Sequence, residues 1–111
     1  MRLHADLDYL CFREIDWVKV KGKTKPVELY EIFNHDSKED QELKKRAGSQ
    51  ILRGLTQRRR KEWDKAIAAF EKSLSIFPED QVAKHHIKNC QLLRHMDLPE
   101  DWDGSIELDH K

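Results

Sequence analysis

The sequence predicts an α+β chain: an N-terminal β-hairpin followed by three α-helices and an irregular tail. Near the N-terminus two apolar runs alternate with period two around a turn rich in lysine and glycine, the pattern of two strands joined as a hairpin. From about residue 40 the apolar period changes to that of a helix, and it is interrupted at Pro78. In the last residues no strong period survives.

Residues 10–20, LCFREIDWVKV, form the first predicted strand. β-Branched and aromatic types are frequent there, with Ile15, Trp17 and Lys19 expected on one face and Val18 and Val20 on the other. Residues 26–33, PVELYEIF, alternate more cleanly, with Val27, Leu29 and Glu31 on one side and Glu28, Tyr30 and Ile32 on the other. KGKTK lies between them. Gly22 can take φ > 0 at little steric cost, and Pro26 opens the second strand where a missing N–H is tolerated. Both faces carry apolar residues, and a lone hairpin is marginal in water. The hairpin is therefore expected inside a larger sheet or against the helices.

NHDSKED (34–40) reads as a linker and helix start, with Asp36 or Ser37 as N-cap and Glu39 or Asp40 in the first turn. The first helix, within 40–59, carries Leu43, Ala47, Ile51 and Leu55 at steps of four. The second, 62–76, carries Trp63, Ile67, Phe70 and Leu74. A third begins after Pro78, with Val82, His86, Cys90 and Leu93 on one stripe. Such narrow stripes must each be buried against a neighbour. Trp63 and Phe70 are expected to be buried in a core shared with the hairpin. In the tail, DLPEDWDGSIELDHK, Pro99 and Gly104 argue for irregular structure and Trp102 is the expected anchor.

Composition narrows the function classes. The 111 residues hold 21 Lys plus Arg and 21 Asp plus Glu, so bulk attraction to nucleic acid or to a membrane surface is not expected. No apolar run approaches the roughly 18 residues a membrane helix needs, and the opening MRLHADLDYL is not a signal peptide. The two cysteines, Cys11 and Cys90, lie far apart in unlike contexts and read as small buried hydrophobes in a reducing, cytoplasmic setting.

The helix pair is similar to a tetratricopeptide repeat (TPR), in which small residues let two antiparallel helices approach and an aromatic fills the gap beside them. Gly54, Ala66, Phe70 and Ser73 take those positions and Pro78 closes the unit. Gln50 stands where Trp is usual, and Gln57 or Arg58 where Tyr is. The successor unit, 81–97, matches weakly, so the TPR-like stack needs a cap from the hairpin, the tail or a second chain.

A second resemblance rests on FREIDWVKVKGKTKPVELYEIF (12–33). It resembles the closing hairpin of the catalytic domain of class III adenylate/guanylate cyclases, V-K-G-K-x-x-P-V-x-x-Y-E, which Val20–Glu31 match position by position. A number of bacterial members carry a short helical, repeat-like extension ending in a D-W-D-G run, which the tail resembles at Asp101–Gly104. The resemblance implies residues 1–35 as the closing hairpin of a catalytic domain, 36–97 as a TPR-like extension and 98–111 as an irregular tail. It also implies a role for the turn: Lys21 reaches the substrate phosphates, Gly22 permits close approach, and Lys23 is a second, weaker candidate for phosphate binding. The bland alternative is a solvated turn.

The implied reaction is attack of a ribose 3′-hydroxyl on the α-phosphate of ATP or GTP, with two Mg²⁺ (or Mn²⁺) in the complete enzyme. The family's metal-binding aspartates and its transition-state Asn and Arg lack counterparts here. Asp6 and Asp8 do not sit in that motif, and Asn34 and Lys38 are misplaced. The expectation is a C-terminal fragment that holds no metal or other cofactor and is inactive alone. Its implied partner is the remainder of the catalytic domain, with a homodimer or a protein partner of the helices also open. Neither nucleic acid nor membrane is an expected partner. The competing reading is a free-standing TPR-like interaction module that binds a partner segment in a groove.

Two weaker signals remain. RRRK (58–61) could be an RNA, phosphate or acidic-partner patch, or simply cations complementing a helix C-terminus. His86 and Cys90, at i and i+4 with His85 beside them, could begin a zinc site or a nucleophile–base pair. No further ligands and no orienting group complete either, so a half-buried histidine and a core cysteine are the expectation.

Overall fold

A computed structural model describes residues 10–20 and 24–108. Strand β1 (Phe12–Val20) pairs antiparallel with β2 (Val27–Ile32). The pairs Glu14↔Tyr30 and Asp16↔Leu29 leave Ile15 as an extra residue. This bulge takes Ile15 out of the alternation expected of β1, while beyond it Trp17 and Val18 keep the opposite faces expected of them. Arg13, Asp16 and Val18 come to one face, opposite Glu31, Leu29 and Val27. Arg13 and Val18 are both buried, although an unbroken strand would place them on opposite faces.

Helix α1 (Lys38–Arg59) begins where the sequence signals it, with the Ser37 hydroxyl accepting the Asp40 N–H at 3.1 Å. It ends without glycine. Lys61 takes φ of 60°, and Glu62 N and Lys61 N donate to Gln57 O and Arg58 O, the paired bonds of a left-handed helix stop. Helix α2 (Trp63–Ile76) returns antiparallel. A Cβ at Gly54 would collide with the Phe70 ring, so the small residue is what allows the close crossing. Ala66 and Ser73 are buried beside it. Helix α3 (Gln81–Leu93) starts at Asp80, whose carboxylate accepts Val82 N at 3.1 Å. Ile51, Leu55, Ala66, Phe70, Ala83 and Cys90 make the core. Trp63 is only half-buried, contrary to expectation: it packs at the margin of this core, and its ring leans on Trp102 of the tail, with centroids 5.9 Å apart.

The tail is more ordered than its composition suggests. β3 (Ile106–Leu108) pairs parallel with β1, giving the sheet order β2-β1-β3. It covers an edge that β1 would otherwise leave open. Gly104, at φ of 85°, makes the turn into it.

Candidate functional site

Lys21, Gly22 and Lys23 lie outside the described residues. What can be followed is how the strands that bracket them are held. β1 lies across α1 and α3 and is fixed there mainly by polar contacts.

At its start, Arg13 grips the Asp80 carboxylate with two bonds of 2.8 and 2.9 Å. Its Nε donates to Glu31 at 3.0 Å, and its Cβ lies over Gly48 of α1. Both partners of the Arg13–Asp80 pair are buried. Burial would raise the Asp80 pKa, but the Arg13 guanidinium and the Val82 and Ala83 amides outweigh it and hold the carboxyl below its usual range. At the bulge, the Ile15 carbonyl accepts from His86 Nε2 at 2.6 Å, which places the ring proton on that nitrogen. The His86 ring stacks on Phe70 at 4.8 Å. Burial pushes its pKa down, against the pull of Asp16 and the Ile15 carbonyl, and Arg58 and His85 lower it further.

Further along, Arg58 is wholly buried and joins three segments. Its Nη2 meets Asp16 of β1 at 2.8 Å and Gly104 O of the tail at 2.7 Å. Its Nε also donates to Gly104 O, at 3.1 Å. Lys19, two residues before Lys21, pairs with Asp103 at 2.9 Å. The Ser105 hydroxyl, and after it Lys19, hold the Asp103 pKa down to about 2. Trp102 Nε1 donates to Ser105 O at 3.1 Å. The D-W-D-G run is thus a clasp: Trp102 packs on α2, Asp103 ties to β1 and Gly104 receives Arg58.

β2 is different. Val27, Leu29, Tyr30 and Ile32 are all exposed, Ile32 at 61%. Its outer edge pairs with no strand among the described residues. Phe12 meets Tyr30 edge to face at 5.7 Å. With Leu10 and Ile32 they line an open apolar depression of about 470 Å³.

Two sequence readings are refined by this geometry. RRRK is not a uniform basic patch: Arg58 is internal and Lys61 Nζ donates to Pro99 O at 2.9 Å, while Arg59 and Arg60 stay exposed. His86 is fully buried and committed to β1. Burial lifts the Cys90 thiol to about 11, which leaves it protonated and inert near neutral pH. Among the described residues no group of three or more His, Cys, Asp or Glu could hold a metal ion, and no helix is long and apolar enough to cross a membrane. Arg13, Asp80 and Arg58 were not singled out as supports of the hairpin. The available signal was Arg58 near a position that is aromatic in the repeat.

No protein-family model matches the chain, and no solved structure matches it. Over 86 residues, 78% of its length, it is 26% identical to a Dictyostelium discoideum protein described as "Adenylate cyclase, terminal-differentiation specific". The chain is similar to an adenylate cyclase. It spans only about 4% of that protein's length.

Proposed function

We propose that this chain is the closing hairpin and helical extension of a class III nucleotidyl cyclase. The complete enzyme would convert ATP or GTP to a cyclic nucleotide and pyrophosphate. The observation that carries this reading is a coincidence: the cyclase hairpin motif at Val20–Glu31 occurs in a chain whose sequence is similar to an adenylate cyclase over 78% of its length. The exposed β2, whose outer edge pairs with no strand among the described residues, supports it, because a strand that is apolar on both faces suits a sheet continued by more protein.

In this reading the 3′-oxygen of the ribose bonds to the α-phosphorus, the bond to the pyrophosphate oxygen breaks, and the hydroxyl proton leaves. Negative charge grows on the departing pyrophosphate. By the resemblance, the Lys21 ammonium would meet those oxygens, Gly22 would let the main chain come close, and Lys23 would be a second candidate for the contact. The Mg²⁺ or Mn²⁺ the family uses would be held by the remainder of the catalytic domain, where the family carries its metal-binding aspartates.

Lys21→Ala in the complete enzyme tests this. A charge-assisted contact contributes about 1.5–3 kcal/mol, so kcat/KM for the triphosphate should fall about tenfold or more. Unchanged kinetics would refute the role of Lys21. Impairment of Lys23→Ala alone would move the contact to Lys23. The chain by itself, given ATP or GTP with Mg²⁺ or Mn²⁺, should form no cyclic nucleotide; turnover that followed the purified protein would overturn the fragment reading.

A further inference from the structure

β1 covers the face shared by α1 and α3, but the groove between α1 and α2 stays open, with a volume of about 280 Å³. Gln50, Arg53 and Gln57 of α1 face Lys65 and Lys72 of α2 across it, over a floor that includes Ala69. The repeat pattern explains why the groove is not filled: it calls for a large aromatic where Gln50 stands. No acidic residue lines the groove. Arg53, Lys65 and Lys72 are exposed. Among the described residues none of them forms an ion pair, whereas Arg13, Lys19, Lys44, Arg58 and Arg94 all do. Gln50 Oε1 is shut away from solvent with no donor facing it. The groove therefore presents cations with no carboxylate to answer them.

We propose that this groove binds an acidic peptide segment, its carboxylates toward Arg53, Lys65 and Lys72. Charge complementarity selects the partner. A nucleic acid fits less well, because no aromatic side chain lines the groove to stack a base. This site is independent of the cyclase reading and would exist in an interaction module equally.

The test is fluorescence anisotropy of a labelled oligoglutamate with the whole chain, against oligoglutamine and oligouridylate. Binding of oligoglutamate that weakens with salt is expected. Reversing the groove cations together (Arg53→Glu, Lys65→Glu, Lys72→Glu) should weaken it by about tenfold or more. A control with as many reversals on other exposed positions (Lys45→Glu, Lys84→Glu, Lys88→Glu) should retain most of the affinity, and circular dichroism establishes that both variants fold. No oligoglutamate binding, an equal loss in the control, or tighter binding of oligouridylate would each overturn the proposal.

Discussion

Arg58→Met asks whether a residue from a basic run holds the molecule together. The substitution keeps most of the aliphatic stem and removes the guanidinium. Gly104 O then loses both its donors, at 2.7 and 3.1 Å, and Asp16 loses its 2.8 Å partner. Removing one member of a buried pair costs about 3–5 kcal/mol, since the other is left without compensation. The Asp16 side chain is 15% exposed and can still reach some water, so the lower end, about 3 kcal/mol, applies. For a domain stable by about 5–15 kcal/mol that is a large share. Urea unfolding followed by circular dichroism and tryptophan fluorescence measures it. Arg60→Met, exposed in the same run, is the internal control and should stay within about 0.5 kcal/mol. In a double-mutant cycle, Asp16→Asn should couple to Arg58→Met. Amide exchange should show β1 and the tail losing protection before α2. If Arg58→Met proved no more costly than Arg60→Met, the guanidinium would be solvated and the clasp would not exist.

Gly54→Ala should cost about 1–3 kcal/mol by overpacking against Phe70, and Phe70→Leu should recover part of it; equal losses in both backgrounds would refute the close crossing. The Asp80 pKa is depressed in the folded state, so its contribution to stability is present above the ordinary carboxylate range and is lost as pH falls through it. Asp80→Asn should flatten that acid limb in a pH series of unfolding free energies. His86 is also depressed, so the folded chain resists its protonation: stability should decline as pH drops below the ordinary histidine pKa of about 6.5. A slope in that window that survived His86→Gln would show that another group titrates there.

The helices were legible because their evidence is local. Ala47, Ile51 and Leu55 recur at one helical spacing and are all buried. The Gly54–Phe70 contact followed from the spacing of small and aromatic residues alone. The supports of the hairpin were not legible, for a physical reason. Charged residues are seldom fully buried unless paired, and the partners of Arg13 and Arg58 lie far away in the chain. Periodicity has no means of pairing them. The bulge at Ile15 was hidden for the same reason: it is specified by the registration of β1 against Asp80, His86 and Arg58, not by the strand's own pattern. β3 is too short for a periodic signal, and its partner β1 is at the other end of the sequence. Of the candidate site, the motif at Lys21–Lys23 was legible only as a resemblance.

The way β1 is attached has a consequence for the hairpin as a whole. Apolar stripes tolerate sliding, because one methyl contact resembles the next. A bidentate pair such as Arg13–Asp80 does not, since a shift of one residue would leave two buried charges unmet. His86 to Ile15 O and Arg58 to Asp16 add two further fixed points along the same strand. Buried ion pairs add little net stability over apolar packing, so what this arrangement secures is position. β1 is set at one register on the helices, while β2 is held by β1 and by a single ion pair to α1, Lys44 to Glu31, and leaves Val27, Leu29, Tyr30 and Ile32 exposed. An open apolar edge strand is a liability in isolation. A rigid inner strand presenting an uncovered outer one is the arrangement expected where a hairpin must meet further protein in a fixed orientation, which is the place proposed for it beside the rest of a catalytic domain.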